Sequence, residues 1–277
     1  MCRHLAYLGV PVSPAEVLVE PPYGLYRQSW SPRMQRHGTV NADGFGLGWY
    51  AEGDPQPARY RRAVPIWADE NLADLARVIR TPALLAAVRS ATAGTAAGEA
   101  AAAPYTGDGW LFSHNGAVGG WPAAAGELAA LLAPADLLTL EARCDSALVW
   151  ALLRRRLRAG QEVGDALAAT VGEIAAAVAE QRQVARLNLL VTDGHVIAAT
   201  TWGDTLFHRL ELGRSVLVAS EPGDDGPGWT PVPDRSVLLA TPEAVTVRPL
   251  TTAAPRVNTT GAPRVNTTAA PREDRIR

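Results

Sequence analysis

A cysteine stands directly behind the initiator methionine in "MCRHLAYLG". Methionine trimming tolerates a small second residue, and loss of Met1 would leave Cys2 with a free α-amine beside its own thiol. Such an amine titrates at roughly 7.7–8.0 when unperturbed, close to working pH. It can take the thiol proton, directly or through one water, and later return it to a leaving group. Nucleophile and base would then be one residue. A free cysteine opening an apolar run can equally be a small packing residue, so the choice rests on the rest of the chain.

Three further stretches supply parts for acyl transfer. "WLFSHNGAV" carries Asn115 and Gly116, a side-chain amide and a backbone N–H that can face the oxygen turning negative in a tetrahedral intermediate. The same two residues also read as a plain Asn-Gly turn. "VRSATAG" carries Arg89, whose planar fork grips a carboxylate through two parallel bonds as a lysine cannot. "RCDSAL" puts Asp145 at the start of a helical pattern, where it can accept from an ammonium group, cap the helix, or leave the cap to Ser146. A site holding Arg89 and Asp145 together would recognise an amino-acid head group and leave the far end of that substrate at the thiol.

The elements that must position these residues follow from periodicity. "CRHLAYLGV", "LLAAVRSAT" and "WLFSHNGAV" read as buried strands, and "DGFGLGWYA" as a strand entered by an Asp43-Gly44 turn. "DENLADLARVI" has helical spacing behind a capping Asp69. The Ala/Gly/Pro-rich segment 93–109 is expected to be a loop. From Asp145 the pattern becomes two amphipathic helices, "DSALVWALLRRRLR" and "VGDALAATVGEIAAAVAEQ", divided at Gly160. "RLNLLVTDGHVIAATTW" reads as a hairpin turning at Asp193-Gly194. "TLFHRLEL", "SVLVASEP" and "SVLLATPEAVTVRPL" add further strands. Strands, a central helix pair and strands again predict an α+β fold with antiparallel sheets and segregated helices. The near-repeats "TTAAPRVN", "TTGAPRVN" and "TTAAPRED" cannot build a core, so 251–277 is expected to be a disordered tail behind a domain spanning 2–250. Its Asn-Thr-Thr sequons at Asn258 and Asn266 lack a secretory signal to give them meaning.

Composition narrows the function classes. The 277 residues are 47% hydrophobic with a net charge of −2, enough for a large core and without the basic footprint of a nucleic-acid binder. Arg154, Arg155 and Arg156 read as a solvated helix face. No apolar run approaches the ~20 residues of a membrane span, and a cytoplasmic protein with two free thiols, Cys2 and Cys144, is expected. Neither cysteine nor histidine spacing suggests a metal, and the glycines of "HGTVNADGFGLGWY" do not match a dinucleotide loop, so no cofactor is expected. His37, Asn41 and Asp43 in that segment can line a substrate mouth, as can Ser220 and Glu221 in "ASEPGDD". Trp30, Trp110 or Trp229 could wall a trimethylammonium group, with core packing as the alternative. Exposed sheet edges are compatible with a homodimer.

The ordered set of N-terminal cysteine, "RSAT", "SHNG" and an Asp at a helix start resembles the class II glutamine amidotransferases of the N-terminal-nucleophile hydrolase superfamily. "MCRHLAYLG", "HGTVNADGFGLGWY", "WLFSHNG" and "VLVASEP" are similar to the branch containing the γ-glutamyl hydrolases of ergothioneine biosynthesis, over Cys2 to about Thr241. The resemblance implies a four-layer αββα sandwich and hydrolysis of a small-molecule γ-glutamyl conjugate through a cysteine thioester. In that branch the substrate is γ-glutamyl-hercynylcysteine sulfoxide. It also implies Cys2 as nucleophile and base, Arg89 as α-carboxylate clamp, Ser90 and Thr92 as its polar neighbours, Asn115 and Gly116 as oxyanion hole, and Asp145 as ammonium partner. A glutaminase subunit feeding ammonia to a separate synthetase is the alternative, and the lack of a synthetase domain in this sequence favours the free hydrolase.

Overall fold

The computed structural model describes residues 2–123 and 125–251. Its first half contains β1 (Arg3–Val12), β2 (Phe45–Trp49), β3 (Ala58–Arg62), β4 (Thr81–Val88), β5 (Tyr105–Gly107) and β6 (Trp110–Val118). Short helices α1 (Pro14–Leu18), α2 (Leu25–Gln28) and α3 (Leu72–Val78) lie between these strands, and α4 (Ala125–Ala129) and α5 (Pro134–Leu138) follow them. The long helices are α6 (Asp145–Arg158) and α7 (Val163–Glu180). Then come β7 (Ala185–Thr192), β8 (Ile197–Thr201), β9 (Phe207–Glu211), β10 (Ser215–Ala219), β11 (Thr230–Pro231), β12 (Ser236–Ala240) and β13 (Val245–Pro249).

Two antiparallel sheets result, ordered β11-β9-β10-β1-β4-β2-β3 and β13-β12-β8-β7-β6-β5. Strand periodicity of two explains the layering. Ala6 and Leu8 of β1, with Ala83 and Leu85 of β4, meet Leu111, Leu190 and Ala199 between the sheets. Their neighbours Leu5, Tyr7, Leu84, Ala86 and Val88 turn the other way, onto Leu18, Leu25 and Leu72 of the short helices. On the far side, Leu187, Leu189 and Val191 of β7 pack on Leu148, Leu152, Leu167, Val171 and Ile174 of α6 and α7. The expected four-layer αββα sandwich, with two stacked antiparallel sheets, is therefore the fold.

Segment 93–109 differs from the expectation of an unbroken loop, because its last residues form edge strand β5. The cause is the Asp108-Gly109 turn, with φ of 55° and 83°, which folds β5 back on β6 as a tight hairpin. Asp108 also receives Arg154 and Arg158 from α6, at 2.6 and 2.7 Å. Hydrogen bonding to Arg154 leads in lowering its carboxyl to about 2. Its contribution to stability is thus present above the ordinary carboxylate range and lost as pH falls through about 2. Asp108→Asn keeps a residue suited to positive φ. It is expected to destabilise by less than about 1 kcal/mol at neutral pH, the pair being partly solvated. Urea titrations at pH 7 and near pH 2 check that the difference vanishes in acid.

The N-cap position of α3 is Asn71 rather than the expected Asp69, which lies two residues ahead of it and whose Oδ1 accepts from Asn71 N and Leu72 N at 2.9 Å each. The proposed tail and both sequons lie outside the described residues beyond Thr251. Among the described residues no helix is long and apolar enough to cross a membrane.

Candidate active site

The alternation that fills the space between the sheets continues past the apolar core at one end. On β1, Leu8, Ala6 and His4 lead to Cys2, and on β4, Ala83, Leu85 and Ala87 lead to Arg89. On β6, Leu111 and Ser113 lead to Asn115. Arg3 pairs with Val88 across β1 and β4, so the next pair outward is Cys2 and Arg89. Sheet register alone thus brings nucleophile candidate, cation and amide to one end of the sandwich.

Cys2 is half-buried, and its Sγ donates weakly to Ser90 O at 3.8 Å. Burial pushes the thiol upward in pKa, and the charge of Arg89 opposes that. Behind it, His4 Nδ1 and Ser113 Oγ lie 3.1 Å apart and join the sheets. Burial holds the His4 imidazole down to about 3, so it is neutral at working pH. Ser220 Oγ accepts from His4 N at 3.0 Å and from Asn115 Nδ2 at 3.3 Å. Asn115 is fully buried, with one amide hydrogen left over and its Oδ1 without a partner.

Gly116 lies opposite Leu187, whose N–H is spent on Trp202 O of the β8 side. The pair is therefore not hydrogen-bonded, and the Gly116 N–H points away from β7. Val118, of the same parity, sends its N–H to Asp145 Oδ2 at 3.1 Å, which shows where that side leads. Any Cβ at 116 would run into Arg186 O, so glycine is required there. The plain-turn alternative is excluded, since Asn115 and Gly116 lie within β6.

Arg89 is 8% exposed and is held by neutral acceptors only: Asp43 O at 3.2 Å, Thr95 Oγ1 at 3.1 Å and Ala96 O at 2.9 Å. Asp145 is buried more deeply, at 3% exposure, and accepts from Val118 N, from Ser146 N at 2.9 Å and from Thr92 Oγ1 at 3.5 Å. Neither has an ionic partner among the described residues. Cys144 occupies the N-cap position of α6 without a capping side chain, and Asp145 is the first helical residue. Ser146 instead bonds His114 Nδ1 at 3.1 Å, while His114 Nε2 donates to Arg186 O at 2.9 Å. That histidine is a tie between α6, β6 and β7.

The remaining predicted residues serve the loop between α2 and β2. Asn41 is buried, its amide spent on Gln28 O and Gln35 Oε1, so it sits beneath the loop rather than on a rim. Asp43 Oδ2 accepts from Ala91 N at 2.7 Å and braces the Arg89 turn. His37 is exposed on the same loop. Trp30 packs edge-on against Tyr26 and Trp67, Trp229 lies under Arg209, and Trp110 joins the core beneath α6. Sequence reasoning missed His4 and Ser113, whose signal was parity with Cys2 and Asn115. It also missed Thr95 and Ala96, which carry none. Among the described residues no group of three or more His, Cys, Asp or Glu could hold a metal ion.

This arrangement offers a thiol, two N–H groups aimed at one side, a carboxylate receptor and an ammonium receptor. The family model described as "Glutamine amidotransferases class-II" matches residues 25–211. The γ-glutamyl-hercynylcysteine sulfoxide hydrolase of Mycolicibacterium smegmatis is 42% identical, over 90% of this chain and 100% of its own length. Its counterpart in Mycobacterium tuberculosis is 40% identical, over 91% and 98%. A solved class-II glutamine aminotransferase domain protein from Silicibacter pomeroyi superposes with a TM-score of 0.66 at 22% identity. That match covers 90% of this chain and 100% of the other.

Proposed function

The chain belongs to the class II glutamine amidotransferases, and from that premise we propose that it hydrolyses the γ-glutamyl amide of γ-glutamyl-hercynylcysteine sulfoxide. The products are glutamate and hercynylcysteine sulfoxide, a step of ergothioneine biosynthesis. One observation carries the glutamyl half of this reading: Arg89 and Asp145 are buried opposite charges, neither ion-paired, beside the same thiol. A zwitterionic α-amino acid supplies both missing partners.

Arg89 binds the α-carboxylate with Ser90 and Thr92 as polar neighbours, and Asp145 binds the α-ammonium. Cys2 Sγ attacks the γ-carbonyl carbon while the thiol proton passes to the Cys2 α-amine. The carbonyl oxygen becomes an oxyanion held by Asn115 Nδ2 and the Gly116 N–H. Collapse breaks the C–N bond, and the departing amine takes the proton back. Water then attacks the thioester, giving up its proton to the amine, and glutamate leaves with the thiol restored. Asn41 and Asp43 hold the loop that carries His37 over the leaving-group side. The two unpaired thiols support a cytoplasmic setting.

Incubation with a panel of γ-glutamyl compounds, identifying both products, tests the substrate. Glutamate and hercynylcysteine sulfoxide at a rate far above glutamine turnover are expected. Ammonia from glutamine, stimulated by a partner protein, would replace this reading with that of a glutaminase subunit.

The base also sets the pH dependence. Burial keeps the thiol protonated at neutral pH, so turnover needs the neutral amine. The value of kcat/KM should rise with pH through roughly 7.7–8.0. A steady-state profile flat across that window would remove the amine as base.

A further inference from the structure

The tie made by His114 has two ends, and both fall on parts of the glutamyl site. His114 is 2% exposed and lies on β6 two residues before Gly116, on the same face of the strand. Its Nε2 faces a carbonyl, Arg186 O at 2.9 Å, and so carries the proton of the neutral ring. Nδ1 is then an acceptor, and Ser146 Oγ donates to it at 3.1 Å. The ring also fills the space over Gly116, where a Cβ would come within 2.6 Å of His114 Nε2. One end of the tie therefore abuts the residue whose N–H receives the oxyanion. The other ends in the first turn of α6, one residue past Asp145, whose Oδ1 accepts from Ser146 N at 2.9 Å.

Strand β6 shows why the two ends matter together. Its neighbour β5 pairs with it only at Trp110, Leu111 and Phe112, so among the described residues no strand covers that edge from Ser113 onward. Along this open edge lie the Gly116 N–H and, two residues on, the Val118 N–H that holds Asp145 Oδ2 at 3.1 Å. Two residues of strand span about 6.8 Å. A glutamyl group along the edge places its γ-carbonyl at the first N–H and its α-ammonium at the carboxylate held by the second. Cys144 gives α6 no capping side chain. Among the described residues, two side-chain bonds then hold the start of α6 to β6, Asp145 to Val118 N and Ser146 to His114.

We propose that His114 is a positioning residue that sets the two ends of the glutamyl site relative to each other: through Ser146 it fixes where Asp145 meets the ammonium, and through its contact with Gly116 it fixes the N–H that meets the oxyanion. This rests on the γ-glutamyl reading and deepens it. The two arms act at different stages. Asp145 binds an ammonium that is charged throughout the reaction, so loosening it weakens substrate binding and raises KM. The Gly116 N–H meets a charge that develops only in the transition state, so loosening it lowers kcat.

Two substitutions separate the arms in the full chain. Ser146→Ala removes only the α6 arm, and KM for γ-glutamyl-hercynylcysteine sulfoxide should rise about tenfold with kcat little changed, the scale of one hydrogen bond. His114→Asn keeps an acceptor at the level of Nδ1 for Ser146 but has no atom to reach Arg186 O or to cover Gly116. It should lower kcat about tenfold and leave KM little changed. A merely structural role would move the same parameter in both variants, in step with the loss of melting temperature. That pattern, or wild-type kinetics in both, would overturn the proposal. If His114→Asn does not melt cooperatively, Ser146→Ala decides, and an unmoved KM or a fall confined to kcat there overturns it. Failure of the unaltered protein to release glutamate from any γ-glutamyl compound would instead remove the reading on which the proposal rests.

Discussion

Cys2→Ala is expected to lower glutamate release by at least about 10⁴-fold, the scale on which removal of a covalent nucleophile acts. No other described group can replace it. The second cysteine, Cys144, is buried and its sulfur lies 3.1 Å from the Tyr105 hydroxyl in the core beneath α6. His4 is held neutral between the sheets and has no open approach to substrate. The fold should survive, because Cys2 forms no disulfide and its sulfur makes only the 3.8 Å contact to Ser90 O. A stability change under about 1 kcal/mol is expected from so small a deletion. Product assay and thermal melting on one preparation check both halves, and full turnover with an unchanged melt would remove the mechanism.

Asn115→Ala should cost about 10²–10³ in kcat, the usual cost of removing one oxyanion donor. Substrate binding should hold, since none of the hydrogen bonds that hold Arg89 and Asp145 involves the Asn115 side chain. The loss therefore belongs in kcat rather than KM, and steady-state kinetics separates the two. The variant also empties a buried position and frees Ser220 Oγ of one donor, so a melt is needed beside it. A large rise in KM with unchanged kcat would reassign Asn115 to ground-state binding.

The path from sequence to site was unequal along the chain. Helix α6 and strand β6 appear over the same residues that their patterns suggested, because long apolar periodicity is a local signal. Helices α1, α2, α4 and α5 have at most five residues each and no sustained period, so only tertiary packing defines them. At the site, residue chemistry singled out Cys2, Arg89, Asn115 and Asp145, but their meeting depends on register. Parity along β1, β4 and β6 aims them at one space, and pairing between strands some eighty residues apart is not written in any single stretch.

The most direct test is rapid quenching of the enzyme with γ-glutamyl-hercynylcysteine sulfoxide, followed by peptide mass spectrometry. A glutamyl thioester on the sulfur of a peptide that begins at Cys2 is the expected species. An active enzyme whose peptide still begins with Met1, or whose glutamyl adduct sits on any other residue, would contradict the account.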